Sequence, residues 1–130
     1  MKKKKDPESK NIGMRAIRGA IQVPEDTSND IKRSTLLIMR EIITKNELQH
    51  LDLVSCFFTV TPDLTSELPP LIIYEAGWKN LPTLCALEVK TSMMIPRMIR
   101  VLIHVQWHHE NRELSHIYLP EALSSRPILS

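Results

Sequence analysis

Three ionisable side chains sit inside apolar, strand-like runs: Arg18, Glu88 and Arg100. Arg100 lies in the middle of the stretch from Met98 to Trp107. With a strand's period of two, Ile99, Val101, Ile103, Val105 and Trp107 share one face, and Met98, Arg100, Leu102, His104 and Gln106 share the other. The first face is core. A cation buried on the second costs several kcal/mol or so unless it is paired and hydrogen-bonded. Arg100 therefore has a built-in carboxylate, lies on a wet face, or meets an anionic ligand. Arg18 occupies a second strand pattern, Met14–Val23, on a face with Ala16, Ala20 and Gln22, whose small alanines leave room beside it. Glu88 closes the run Thr83–Val89. Two readings fit these three groups. One is a Glu88–Arg100 ion pair joining neighbouring strands. The other is a site in which two guanidiniums grip a polyanion, for which arginine's rigid fork is suited, while the carboxylate takes a hydroxyl.

Other chemistries have less support. No serine lies in a nucleophile-elbow motif, and neither Cys56 nor Cys85 has a histidine partner in sequence. Both cysteines fall within apolar strand patterns, which suits buried thiols in a reducing compartment better than a disulfide. His104, His108, His109 and His116 cluster, but no His-Glu-x-x-His or comparable ligand spacing occurs, so no metal is expected. Three glycines in 130 residues do not build a phosphate loop.

A chain of 130 residues with 42% hydrophobic and 25% charged residues reads as one globular domain. No stretch approaches the roughly 20 apolar residues of a membrane span, and no apolar segment follows the basic start. The expected location is therefore the cytoplasm. The net charge of +2 belongs to the first ten residues, which hold five lysines against Asp6 and Glu8. The remainder has 12 basic and 13 acidic groups, so it offers no general nucleic-acid footprint. Residues 1–13 read as a solvated, lysine-rich tail and 14–130 as the domain.

The positioning elements follow from pattern. After the Met14–Val23 strand, the N-cap-rich turn Pro24–Asp30 leads into a helix running to about Asn46. Ile31, Ile38 and Ile42 form its stripe, widened by Leu36, Leu37, Met39 and Ile43. Leu53–Val60 is β-branched and aromatic and reads as a central strand. Pro69 and Pro70 open a short helix that stops at Gly77. Strands at Thr83–Val89, Met98–Trp107 and Ser115–Leu119 complete the order β-α-β-α-β-β-β. The fold class is α+β, with a mixed sheet and helices on one face.

These residues also resemble a family. Met14-Arg15-Ala16-Ile17-Arg18-Gly19-Ala20, Thr61-Pro62-Asp63-Leu64, Gly77-Trp78, Leu81-Pro82, Cys85, Glu88, Ile99-Arg100-Val101, His116-Ile117-Tyr118-Leu119 and Arg126-Pro127 run in the order of the small monofunctional chorismate mutases. The resemblance covers Met14 to Ser130. It implies a homotrimeric pseudo-α/β barrel with active sites between subunits. The implied activity is the Claisen rearrangement of chorismate to prephenate, on the route to phenylalanine and tyrosine, without cofactor or metal.

By the same resemblance Arg100 stands beside the ether oxygen that gains negative charge, Glu88 accepts from the ring hydroxyl, and Cys85 lines the same region. Arg18 binds a carboxylate, Tyr118 donates to one, and Arg126 closes over the site from a mobile tail at about 124–130. Leu68 and Leu84 complete the implied substrate contacts. The chain departs from the pattern at several places. Leu68 stands where a Phe is usual, Leu71 and Tyr74 replace a Lys and an Arg facing the neighbouring subunit's site, and Ile128 replaces an Asp after Arg-Pro. A glycine-rich turn has become Ser92-Met93-Met94-Ile95. Activity with a raised Michaelis constant is expected, the rim having lost cations. Cys85 and Glu88, three apart, fall on opposite faces of a regular strand, so a bulge, a strand end or a backbone contact is required. Alternatives are a non-catalytic trimer that senses a dicarboxylate in the same pocket, an imine-hydrolysing deaminase of similar trimeric fold, and a structural trimer without ligand.

Overall fold

The computed structural model describes residues 12–120. The lysine-rich start and the segment carrying Arg126 lie outside the described residues. Five strands form one sheet: β1 (Gly13–Gln22), β2 (Leu53–Val60), β3 (Thr83–Leu87), β4 (Met98–Trp107) and β5 (Ile117–Leu119), in the spatial order β3-β2-β4-β1-β5. β4 is central and antiparallel to both β1 and β2, whereas β3 runs parallel to β2 and β5 parallel to β1. Parallel neighbours cannot be joined by a tight hairpin. The chain instead passes from β2 to its parallel neighbour β3 through helix α2 (Pro69–Glu75), while helix α1 (Ser28–Lys45) carries it from β1 to β2, on the two sides of β4. The expected α+β order and mixed sheet are what the chain forms.

Both helices pack into one core with the odd-numbered residues of β4. Ile99, Val101, Ile103, Val105 and Trp107 join Ile17 and Ile21 of β1, Ile31, Ile38, Met39 and Ile42 of α1, and Ile72 and Ile73 of α2. The helices thus cover one face of the sheet. Trp107 is fully buried and donates its indole N–H to the His109 carbonyl at 3.0 Å, so the ring's polar atom is satisfied. Gly19 is where α1 meets β1. A Cβ there would lie 2.6 Å from a methyl of Ile42 and 3.1 Å from atoms of Ile38 and Val101. Gly19→Ala is accordingly expected to lower stability by about 1–3 kcal/mol through overpacking, read by denaturant unfolding. An unchanged midpoint would mean that the α1–β1 seam is looser than its distances.

Some local boundaries differ from the sequence patterns. α1 begins at Ser28, because Thr27 acts as N-cap and its hydroxyl accepts the Asp30 amide at 3.1 Å. Its buried stripe is Ile31, Ser34, Thr35, Ile38, Met39 and Ile42, while Leu37 is exposed. The reason is angular: residues three and four apart from Ile31 and Ile38 face the sheet, and Leu37 points a quarter-turn away. α2 ends as expected, with Gly77 in a positive-φ conformation two residues past the last helical residue. β5 is shorter than expected, starting at Ile117, since side chains hold Ser115 and His116.

Candidate active site

Across the uncovered face of the sheet, pairing registers line up one residue per strand. Tyr118 of β5 lies opposite Ala20 of β1, Ala20 opposite Arg100 of β4, Arg100 opposite Thr59 of β2, and Thr59 opposite Ala86 of β3. The adjacent row holds Arg18, Leu102, Phe57 and Leu84. Paired residues on one face have Cβ atoms about 5 Å apart, so the two rows make a continuous floor. Ala20 is fully buried between its neighbours. With no side chain beyond Cβ, it separates Arg100 from Tyr118 by a single methyl, which Tyr118 and Ile95 cover.

Glu88 sits one residue beyond β3, held by its amide donating to the Val60 carbonyl at 2.9 Å. Strand alternation places it with Leu84 and Ala86 on the uncovered face, opposite Cys85. Its carboxylate reaches Arg100, whose Nη1 is 2.5 Å from both oxygens. Both side chains are only 20% exposed. Of the three ways of accommodating a mid-strand cation, this chain therefore uses a built-in carboxylate. Thr59 completes the unit by donating its hydroxyl to Glu88 Oε2 at 2.7 Å. Sequence reading passed over Thr59. Its signal was alternation: it follows Phe57 on the wet face of β2, four positions from a hydroxyl at Ser55.

Beside the ion pair is an open cavity of about 210 Å³ lined by Arg18, Phe57, Thr59, Arg100 and Leu102. Arg18 is exposed at its edge, and its guanidinium has no hydrogen-bond or ion-pair partner among the described residues. The cavity thus has one solvated arginine, one arginine shared with a carboxylate, and an apolar floor. Formal charge is +1 for the three groups, which suits an anionic ligand with apolar surface. Tyr118 packs with Ile95 over Ala20 and Met98, forming a small second cluster on this face. Leu84 is 70% exposed, and Leu68 is half exposed at the N-cap of α2.

Arg18, Glu88, Arg100 and Tyr118 are thus brought to one face, with Leu84 beside them. The Cys85 side chain is not among them. It pairs with Phe58 and packs against the helix-covered core. β3 is regular through Leu87, so no bulge turns the thiol round, and Cys85 can reach the uncovered face through its backbone alone. Burial pushes the Cys85 thiol pKa up, and burial, with the nearby Cys85, pushes that of Cys56 up to about 12. Neither is a thiolate nucleophile near neutral pH. Arg126 lies outside the described residues.

The histidines disperse to separate partners. His104 Nδ1 is 3.3 Å from the Ser55 hydroxyl, His108 is 3.4 Å from Asp52, His109 contacts the Glu47 carbonyl at 3.0 Å, and His116 accepts the Arg18 amide at 3.0 Å. Among the described residues no three His, Cys, Asp or Glu side chains gather as metal ligands would. No helix among them is long and apolar enough to cross a membrane.

Comparison with known proteins is consistent with this geometry. The family model described as chorismate mutase type I matches residues 14–129. The chain is 38% identical to chorismate mutase AroH of Thermus thermophilus, over 89% of this chain and 96% of that one. It is 32% identical to chorismate mutase AroH of Bacillus subtilis, over 90% of this chain and 93% of the relative. Among solved structures, a chorismate mutase from Clostridium thermocellum superposes with a TM-score of 0.76 at 32% identity, covering 81% of this chain and 94% of that one. A match over nearly the whole domain, in sequence and in fold, assigns the chain: it belongs to the type I chorismate mutase family.

Proposed function

We propose that this protein is a chorismate mutase, an isomerase that converts chorismate to prephenate by a Claisen rearrangement in aromatic amino acid biosynthesis. The observation that carries the reading is Arg100, held in mid-sheet by Glu88 beside a cavity that a second arginine borders. Chorismate is a dianion with an ether oxygen and a ring hydroxyl. Arg18, solvated and unpaired among the described residues, takes one carboxylate as a fork. Tyr118 donates to a carboxylate across Ala20. Glu88 exchanges part of its hold on Arg100 for the ring hydroxyl, oriented meanwhile by Thr59. The released Nη of Arg100 turns to the ether oxygen.

As the carbon–oxygen bond breaks, negative charge grows on that oxygen while the new carbon–carbon bond forms at the far end of the folded side chain. A fixed cation there stabilises the transition state more than the substrate. The apolar floor of Phe57 and Leu102 keeps the interaction in a medium of lower dielectric than water. It also favours the compact, reactive conformer over extended ones. Every step of the rearrangement is intramolecular, so the residues bind, orient and stabilise charge without moving a proton.

The working unit is a cytoplasmic homotrimer. Leu84, Leu87, Val89 and Met93 are each more than half exposed along β3 and the segment after it, a patch of the kind that marks an interaction surface. Neighbouring subunits covering it close the cavity from above. Arg126 supplies a further cation from the C-terminal segment, and Leu68, with Leu71 and Tyr74, forms an apolar rim toward the neighbour's site.

The test is loss of chorismate absorbance with purified protein, prephenate being identified as product. Tight binding of a bicyclic transition-state mimic without conversion would instead indicate a dicarboxylate sensor. Thr59→Val, which keeps shape and removes the donor, is expected to reduce kcat/KM roughly tenfold, as loss of a hydrogen bond to a charged group worth about 1.5 kcal/mol. Wild-type kinetics in that variant would show that Glu88 is oriented by Arg100 alone.

A further inference from the structure

The edge strand β5 is short, and its attachment is not explained by backbone pairing alone. Three residues pair with β1: Ile117 with Gly19, Tyr118 with Ala20 and Leu119 with Ile21. One position earlier, where the ladder would continue, the Arg18 amide donates not to a backbone carbonyl but to Nδ1 of His116, at 3.0 Å. Just before that, Ser115 is clamped by Asn46, the buried C-cap residue of α1. The Asn46 side chain accepts the Ser115 amide at 2.7 Å and donates to the Ser115 carbonyl at 3.0 Å. The Asn46 clamp ties the strand to the helix layer. Among the described residues, the His116 contact extends its tie to β1 beyond the three-residue ladder.

We propose that His116 is a positioning residue for the active site: by accepting the Arg18 amide it fixes β5 against β1, so that Tyr118 stands across Ala20 from Arg100 and the Arg18 backbone keeps its place. The functional roles of Arg18 and Tyr118 rest on the chorismate mutase reading above; the contact itself does not. One imidazole thereby couples two substrate-binding side chains on adjacent strands, touching substrate with neither.

The contact has a protonation requirement. Nδ1 accepts only while it carries no proton, which places the ring's hydrogen on Nε2. Protonation would set an N–H against the Arg18 N–H and add a third positive charge to the start of the strand. The charged groups acting on the ring among the described residues are Arg18 and Arg15, both of β1; Asn46, at the adjoining helix end, is neutral, and Tyr118 is the titratable group on its own strand. Partial burial first, then the charges of Arg18 and Arg15, hold the His116 pKa below its ordinary value. The sign follows. The unfolded chain takes up a proton at about pH 6.5, the folded one only at lower pH. The stabilising contribution is complete above about 6.5 and is lost as pH falls through the folded-state value.

The experiment compares His116→Asn and His116→Ala with wild type in kcat/KM from pH 5 to 8. Asn Oδ1 occupies the place of Nδ1 and accepts without titrating. It is expected to keep activity at pH 7.5 within about threefold and to lose the wild type's acid limb. Alanine removes the acceptor, and is expected to raise KM about tenfold with a smaller change in kcat. An acid limb that persists in His116→Asn, or an unchanged KM in His116→Ala, would overturn the proposal. Nitrogen NMR of the imidazole and of the Arg18 amide gives an answer independent of turnover. Wild type should show an unprotonated Nδ1 at pH 7.5 and an Arg18 amide shift that follows the ring's titration, a response absent from the Asn variant. If no chorismate is converted but this response is present, the activity reading fails while the contact stands. If the amide ignores the titration, the positioning role fails whatever the activity.

Discussion

Arg100→Ala is expected to reduce kcat/KM by at least about 10³-fold while the fold persists. Loss of one preorganised donor at a developing oxyanion typically costs about 10²–10³ in rate, and a full cation in a partly buried setting is worth more. A thousandfold is about 4 kcal/mol of transition-state stabilisation. The fold survives because the carboxylate left behind keeps the Thr59 hydroxyl and is partly open to water. Arg100→Lys should lose most of the activity too, since an ammonium is a single point charge and cannot serve Glu88 and the ether oxygen together.

The double variant Glu88→Ala/Arg100→Ala separates catalysis from architecture. If the pair existed only to join β4 to the end of β3, removing both halves would be nearly neutral, as replacing a buried pair often is. The expected result is a folded, inactive protein. Turnover near wild type in either the single alanine variant or the double one would remove Arg100 from the mechanism.

Arg18→Ala is expected to act differently, raising KM about 10–100-fold with a much smaller change in kcat. Its guanidinium meets a carboxylate whose charge does not change during the rearrangement, so ground state and transition state lose the contact alike. A charge-assisted hydrogen bond of about 1.5–3 kcal/mol sets that range. Because Arg18 is exposed, its contribution is screened: wild-type KM should rise with ionic strength, and that of Arg18→Ala should rise less. Steady-state kinetics at low and high salt decide the matter. An unchanged KM would leave the carboxylates to other groups, and a fall confined to kcat would put Arg18 at the reacting atoms.

Most of the architecture was legible from alternation and punctuation. Met98–Trp107 alternates without interruption, and it became the central strand with one face in the core. Pro69-Pro70 and Gly77 bracket α2 because a ring that fixes φ suits a first turn and a positive φ favours glycine. Arg18 and Arg100 could be assigned to the faces opposite the core residues of their strands for the same reason, and they do share one face of the sheet. Leu37 was misplaced in the core because several apolar residues in succession blur a helical stripe. Only the angle at which α1 lies on β1, set by the close approach at Gly19, selects which of them is buried.

The family resemblance named the site residues, but spacing alone left Arg100 between an ion pair and a ligand site. The sequence by itself determined the periods, and hence the strands, the helices and the face on which each charged side chain emerges, since these depend on neighbours within a few residues. Which residues then meet was decided by the tertiary structure. The order β3-β2-β4-β1-β5 puts Glu88 against Arg100, twelve residues away, and against Thr59, twenty-nine away. It sets Cys85 on the far side from both, and hands the Arg18 amide to His116, ninety-eight residues on. Such contacts depend on strand order and register, which arise from packing the whole sheet against α1 and α2, and no local pattern encodes them.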